Sequence, residues 1–139
     1  MGAWGAGPFE NDDALDWLPE LVAEGLPAAG GALADVIELA GTEYLEAPIG
    51  SRGIAAAEVV AAARGCAGPA LPAPVVEVLV RPGSDPGPEL AALARRAVTA
   101  VAADGSELAE LWGGDPGWRA AVADLLARLT RAEAVAGAA

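Results

Sequence analysis

The sequence contains no histidine, no lysine and no glutamine, and it has one cysteine and one asparagine. Without imidazole there is no Ser-His triad, no Cys-His dyad and no His metal ligand. Cys66 stands alone, so no internal disulfide and no cysteine-based zinc site can form, and it reads as a small packing residue. Aromatics are scarce, at four Trp, one Tyr and one Phe. Residues 1–51 contain no Arg or Lys at all. Long apolar runs are missing too. The longest apolar stretch broken by no more than one charge, Ile54 to Ala63, is too short to span a bilayer. Met1 to Phe9 shows no basic n-region. The expectation is a cytoplasmic protein with no membrane association.

What remains is dominated by alanine, 36 of 139 residues, within a hydrophobic fraction of 54%. A chain of this mass should expose about 6,600 Å² folded against roughly 20,000 Å² unfolded, which is enough burial for one domain. The net charge is −12, and it is unevenly placed. Ten acids lie in residues 1–51 unopposed, whereas residues 52–139 carry all eight arginines. Such a chain repels phosphate backbones, so nucleic acid is not an expected partner. An acidic face suits a basic protein or divalent cations. The all-Arg basic set and the alanine bias point to a high-GC bacterial source.

The organisation reads as one helical domain over 1–139. Residues 1–10 form a Gly/aromatic lead-in, with Trp4 and Phe9 expected to pack back onto the bundle. Asn11 stands where an N-cap belongs, with Asp12 and Asp13 complementing the helix dipole. A first helix follows to about Glu24, with Leu15, Leu18, Leu21 and Val22 as its apolar stripe and a kink or break at Pro19. A second helix is expected over Ala32–Ala40, after Pro27 and Gly30-Gly31. Thr42–Gly50 reads as a connector or short turn ending at Pro48, and Ser51 as the cap of a third helix over Arg52–Arg64. The small residues all round this third helix predict a central position.

Val75–Val80 is β-branched, but it reads as a short helix because nothing else would pair with it as a sheet. Arg81–Pro88 is a surface loop. Leu90, Leu93, Ala94, Ala97, Val98 and Val101 follow helical spacing. Asp104-Gly105-Ser106-Glu107 resembles a capping box before Leu108, Leu111 and Trp112. Asp115-Pro116 opens a last helix striped by Trp118, Val122, Leu125, Leu126 and Leu129, ending near Glu133, with a frayed tail over 134–139. The fold class is all-α, with six or seven helices.

Two constellations carry potential chemistry. Asp12, Asp16, Glu20 and Glu24 recur every four residues on the first helix, where like charges cost about 0.2–0.5 kcal/mol per pair. Relief could come from later arginines, a cation or a basic partner. Glu58 is the only polar side chain in Ile54–Ala63, and is either exposed, paired with Arg, or a ligand. Asp12, Asp16 and Glu58 are therefore the candidate ligands for a divalent cation such as Mg or Ca, with hydrolysis as the associated chemistry. Asp13, Glu20 and Glu24 are candidates for contact with a basic partner. Catalytic residues and an organic cofactor are not expected. Trp112 and Trp118 flank a Gly-rich turn and suit core packing.

The run Trp4-Gly5-Ala6-Gly7-Pro8-Phe9-Glu10-Asn11-Asp12-Asp13-Ala14-Leu15-Asp16-Trp17 resembles the opening of a bacterial family, domain-of-unknown-function family 4259. Tyr44–Pro48 with Ala55–Ala61 resembles its middle, and Ser106–Trp112 its later S-E-L-x-x-L-W stretch. The resemblance spans nearly the whole chain. It implies a small helical bacterial protein and no particular activity. It draws attention to Trp4, Phe9, Asn11, Trp17, Glu107 and Trp112, whose physical reading is capping and packing. The leading expectation is a non-enzymatic protein-binding module, immunity-like in one concrete form, that uses its acidic N-terminal half.

Overall fold

A computed structural model describes Gly5, residues 7–69 and residues 71–135. Trp4 and the tail residues 136–139 lie outside the described residues. Among the described residues seven helices follow one another: α1 (Asp12–Glu24), α2 (Leu26–Leu39), α3 (Ala47–Ala63), α4 (Ala73–Leu79), α5 (Pro88–Val101), α6 (Glu107–Trp112) and α7 (Pro116–Ala134). Among the described residues there is no strand, only an isolated parallel bridge between Leu45 and Ser106. No helix among the described residues is long and apolar enough to cross a membrane.

α1 starts where the local chemistry places it. Asn11 Oδ1 accepts the Ala14 N–H at 2.8 Å, satisfying one orphan donor of the first turn. The helix continues through Pro19 rather than breaking there. Pro19 leaves the Leu15 carbonyl without its helical partner, but both residues are exposed, so water can take that acceptor. The buried stripe is Ala14, Trp17, Leu18 and Leu21, so Leu15, expected inside, faces out.

The second helix begins six residues earlier than its periodicity suggests, at Leu26 against the expected Ala32. Pro27 sits in the first turn, where its missing N–H is no loss. Gly30 and Gly31 lie inside the helix. Each costs about 1 kcal/mol relative to Ala, offset by burial of Ala28, Ala29, Ala32, Leu33 and Val36.

The third helix also begins early, at Ala47, with Pro48 in its first turn. Ser51 is not its cap but a buried residue within it. The cap comes from elsewhere in the chain: Glu107 Oε1 accepts the Ala47 N–H at 2.7 Å. The bridge between Leu45 and Ser106 holds the two segments in register, with Leu45 N–H donating to the Gly105 carbonyl and Glu107 N–H to the Leu45 carbonyl. Glu107→Ala should therefore destabilise the protein by about 0.5–2 kcal/mol, the usual cost of losing a cap. Glu107→Gln should lose less, because its amide oxygen still accepts. Urea unfolding of the two variants checks the order.

α3 is central: it packs against each of the other six helices, and every residue from Gly53 to Ala61 is buried. Val75–Leu79 is helical, as its isolation required, within α4 over Ala73–Leu79, and Val80 is the C-cap. The cap of α6 is Ser106, not Asp104, and its Leu111 is exposed. Asp115 caps α7 through the Gly117 N–H. At the other end of α7, buried Arg64 donates to the Ala132 and Val135 carbonyls and pairs with Asp85, a cation set against the negative end of the helix. Arg95 pairs with Glu133 and ties α5 to α7.

Candidate functional site

The acids singled out in the sequence separate into two places. The first is a groove of about 480 Å³ between the N-terminal helices. Asp13, Asp16 and Glu20 of α1 line it, Asp35 of α2 joins them, and Arg52 of α3 is the one cation on its walls among the described residues. Asp13 is half-buried, whereas Asp16, Glu20 and Asp35 are exposed. Among the described residues Arg52 forms no ion pair with any of them. Four carboxylates thus share one concavity with a single guanidinium. Trp17 forms part of the groove wall and is buried, and its indole N–H has no acceptor among the described residues.

Asp12 and Glu24 are exposed on the same helix, outside the groove lining. Glu58 belongs to the other place. No group of three or more Asp, Glu or Cys among the described residues could hold a metal ion, so Asp12, Asp16 and Glu58 do not come together as ligands. The four-residue spacing along α1 does not point to Asp35. It lies on the exposed side of α2, in the segment whose helix begins earlier than its periodicity suggests.

The second place is a cavity of about 590 Å³ with a buried ion pair in its wall. Glu58, 3% exposed, extends from the middle of α3. Arg128 of α7 meets it with both terminal nitrogens, Nη1 at 2.5 Å from Oε1 and Nη2 at 3.1 Å from Oε2. Arg128 Nε donates to Asp124 at 2.7 Å, one turn back on α7, and Nη1 also donates to the Cys66 carbonyl at 3.2 Å. Burial pushes the guanidinium toward its neutral form, but the hydrogen bonds to Glu58 and Asp124 outweigh it and the net shift is upward. Cys66 contributes its carbonyl here, and its half-buried thiol packs against the core.

Gly68 closes over the pair. A Cβ on Gly68 would lie 2.5 Å from Glu58 Oε1, so any larger residue would displace the carboxylate. Apolar walls complete the cavity: Phe9, Leu71, Ala121 and a proline rim of Pro8, Pro69 and Pro72. Phe9 is in the core, as expected of the lead-in. The partner of Glu58 was detectable in principle. Arg128 falls three residues after Leu125 and four before Ala132, on the face of α7 that turns inward, so a cation there must be buried and paired.

Beyond the two concavities, Tyr44 donates to Glu110 at 2.7 Å, and that bond pushes the phenol up to about 12. Trp112 is half-buried and lines, with Trp118, Ile54 and Leu108, a small void beneath Gly5 and Gly7.

A family model for a domain of unknown function (DUF4259) matches residues 2–134. The match covers nearly the whole sequence, and the chain belongs to that family. No curated protein and no solved structure matches it.

Proposed function

We propose that this chain is a non-enzymatic protein-binding module whose N-terminal groove holds a basic partner, in the manner of an immunity protein masking a cationic surface. The observation that supports this reading is the convergence of Asp13, Asp16, Glu20 and Asp35 on one concavity from two helices. Charge arranged this way attracts Lys or Arg side chains, speeds encounter and rejects anionic partners. Among the described residues, Asp16, Glu20 and Asp35 form no ion pair that would tie them into the fold. Asp16 and Glu20 sit at i, i+4 spacing with Asp12 and Glu24, an unfavourable arrangement that a cationic partner relieves.

The test compares two triple variants in partner capture from lysate of the source cells. Asp16→Asn/Glu20→Gln/Asp35→Asn neutralises the groove. Glu38→Gln/Glu43→Gln/Glu46→Gln removes the same charge from exposed positions outside it. Wild type and the second variant should retain a basic protein at low salt, and the groove variant should retain it at least about tenfold less. Capture should fade as salt rises toward about 0.5 M. Equal retention by the groove variant overturns the reading, because net charge alone would then explain the binding.

A further inference from the structure

The cavity beside Glu58 and Arg128 is a second concavity that the protein-binding reading does not use. Its volume of about 590 Å³ falls within the range of small-molecule pockets. Its body is apolar, with Phe9, Pro69, Leu71 and Pro72 offering ring and branched surfaces. Its polar groups do not balance. Arg128 is neutralised by Glu58 alone through the two-point contact, yet a second carboxylate, Asp124, also holds the guanidinium. Glu10, whose Oε1 accepts the Gly7 N–H at 2.8 Å, adds a third carboxylate to the lining. Among the described residues, one cation against three acids leaves a surplus of negative charge beside an apolar wall.

The disposition of donors points the same way. Four of the five guanidinium N–H groups of Arg128 are engaged by protein oxygens, so no pair of them is left to clamp an incoming carboxylate or phosphate at two points. The Asp124 side chain, by contrast, is 59% exposed and retains acceptor capacity. We propose that this cavity binds a small amphipathic organic cation. Its aromatic or branched aliphatic body would lie against Phe9, Leu71 and the prolines, and its ammonium or guanidinium head would meet Asp124 and Glu10. The buried pair serves as a fixed polar floor: Glu58 holds Arg128, and Arg128 holds Asp124 at the cavity.

The probe is phenethylammonium, compared with the neutral phenethyl alcohol and the anionic phenylacetate, titrated into the full chain by calorimetry at low salt. The ammonium should bind saturably, at least about tenfold more tightly than the alcohol, as expected for a charge-assisted contact. Phenylacetate should not bind. Asp124→Asn, an exposed change, should remove most of the preference for the ammonium. Ala121→Trp, which places a ring in the cavity from the half-buried face of α7, should abolish binding of both ammonium and alcohol while unfolding stays cooperative.

The groove variant Asp16→Asn/Glu20→Gln/Asp35→Asn should bind the ammonium as wild type does, which separates this cavity from general attraction of cations to an acidic protein. Absence of saturable binding at millimolar ammonium overturns the proposal. Equal affinity for all three probes does so as well, and so does loss of binding in the groove variant.

Discussion

Arg128→Met is expected to destabilise the protein by about 3–5 kcal/mol, the cost of leaving a buried charge without its partner. For a chain of this size that is a fall in Tm of roughly 10–20 °C. The change removes the two-point contact with Glu58 and strands a carboxylate that is almost fully enclosed on the central helix. Met has similar volume and no charge, so the effect is electrostatic rather than a cavity. Glu58→Leu combined with Arg128→Met should recover most of the loss, since replacing both members of a buried pair with apolar groups is close to neutral. Thermal unfolding of the single and double variants checks both statements. A double variant as unstable as the single one would mean that the pair is needed for more than mutual neutralisation.

Gly53→Ala is the second large effect, and its direction is opposite to intuition. In a helix interior the change ordinarily stabilises by about 1 kcal/mol. Here a Cβ on Gly53 would lie 2.6 Å from Val36 Cγ2, where α2 and α3 approach. Val36 is fully buried and β-branched, with little rotamer freedom in a helix, so it cannot swing aside. The helices must separate, at a net cost of about 1–3 kcal/mol. Gly53→Ala/Val36→Ala should be more stable than the sum of its two single changes, because one change makes the room that the other fills. Urea unfolding gives the coupling, and additive effects would show that the contact does not constrain α2 against α3.

Local chemistry was readable from the sequence, and contacts between distant segments were not. Asn11 and Asp115 cap the helices their neighbours predicted, because a cap is settled within three or four residues. The small-residue run around Glu58 indicated a central helix for a similar reason: close approach on every side needs short side chains. Helix starts at Leu26 and Ala47 were missed because Pro27 and Pro48 read as breaks, although proline is tolerated in a first turn. At Ala47 the missing signal was Glu107, 60 residues away, whose carboxylate supplies the cap. Leu111 follows the capping box with Leu108 and Trp112 but is 65% exposed, since a two-turn helix has too little surface to bury a full face. The same separation applies to the sites. Four-residue spacing identified Asp16 and Glu20, but Asp35 joins them only through the packing of α2 on α1. Glu58 was recognised as anomalous, but its partner stands 70 residues on.

The most direct measurement is thermal unfolding of Asp16→Asn/Glu20→Gln/Asp35→Asn beside wild type, at low salt and at about 1 M salt. If the groove acids are there for a partner rather than for the fold, neutralising Asp16 and Glu20 relieves three unfavourable i, i+4 pairs along α1, counting those with Asp12 and Glu24. The variant should then melt a few degrees above wild type, corresponding to about 1 kcal/mol, with the difference closing as salt screens the repulsion. A variant that melts several degrees below wild type would contradict this, because the carboxylates would then be holding α1, α2 and Arg52 together as part of the structure.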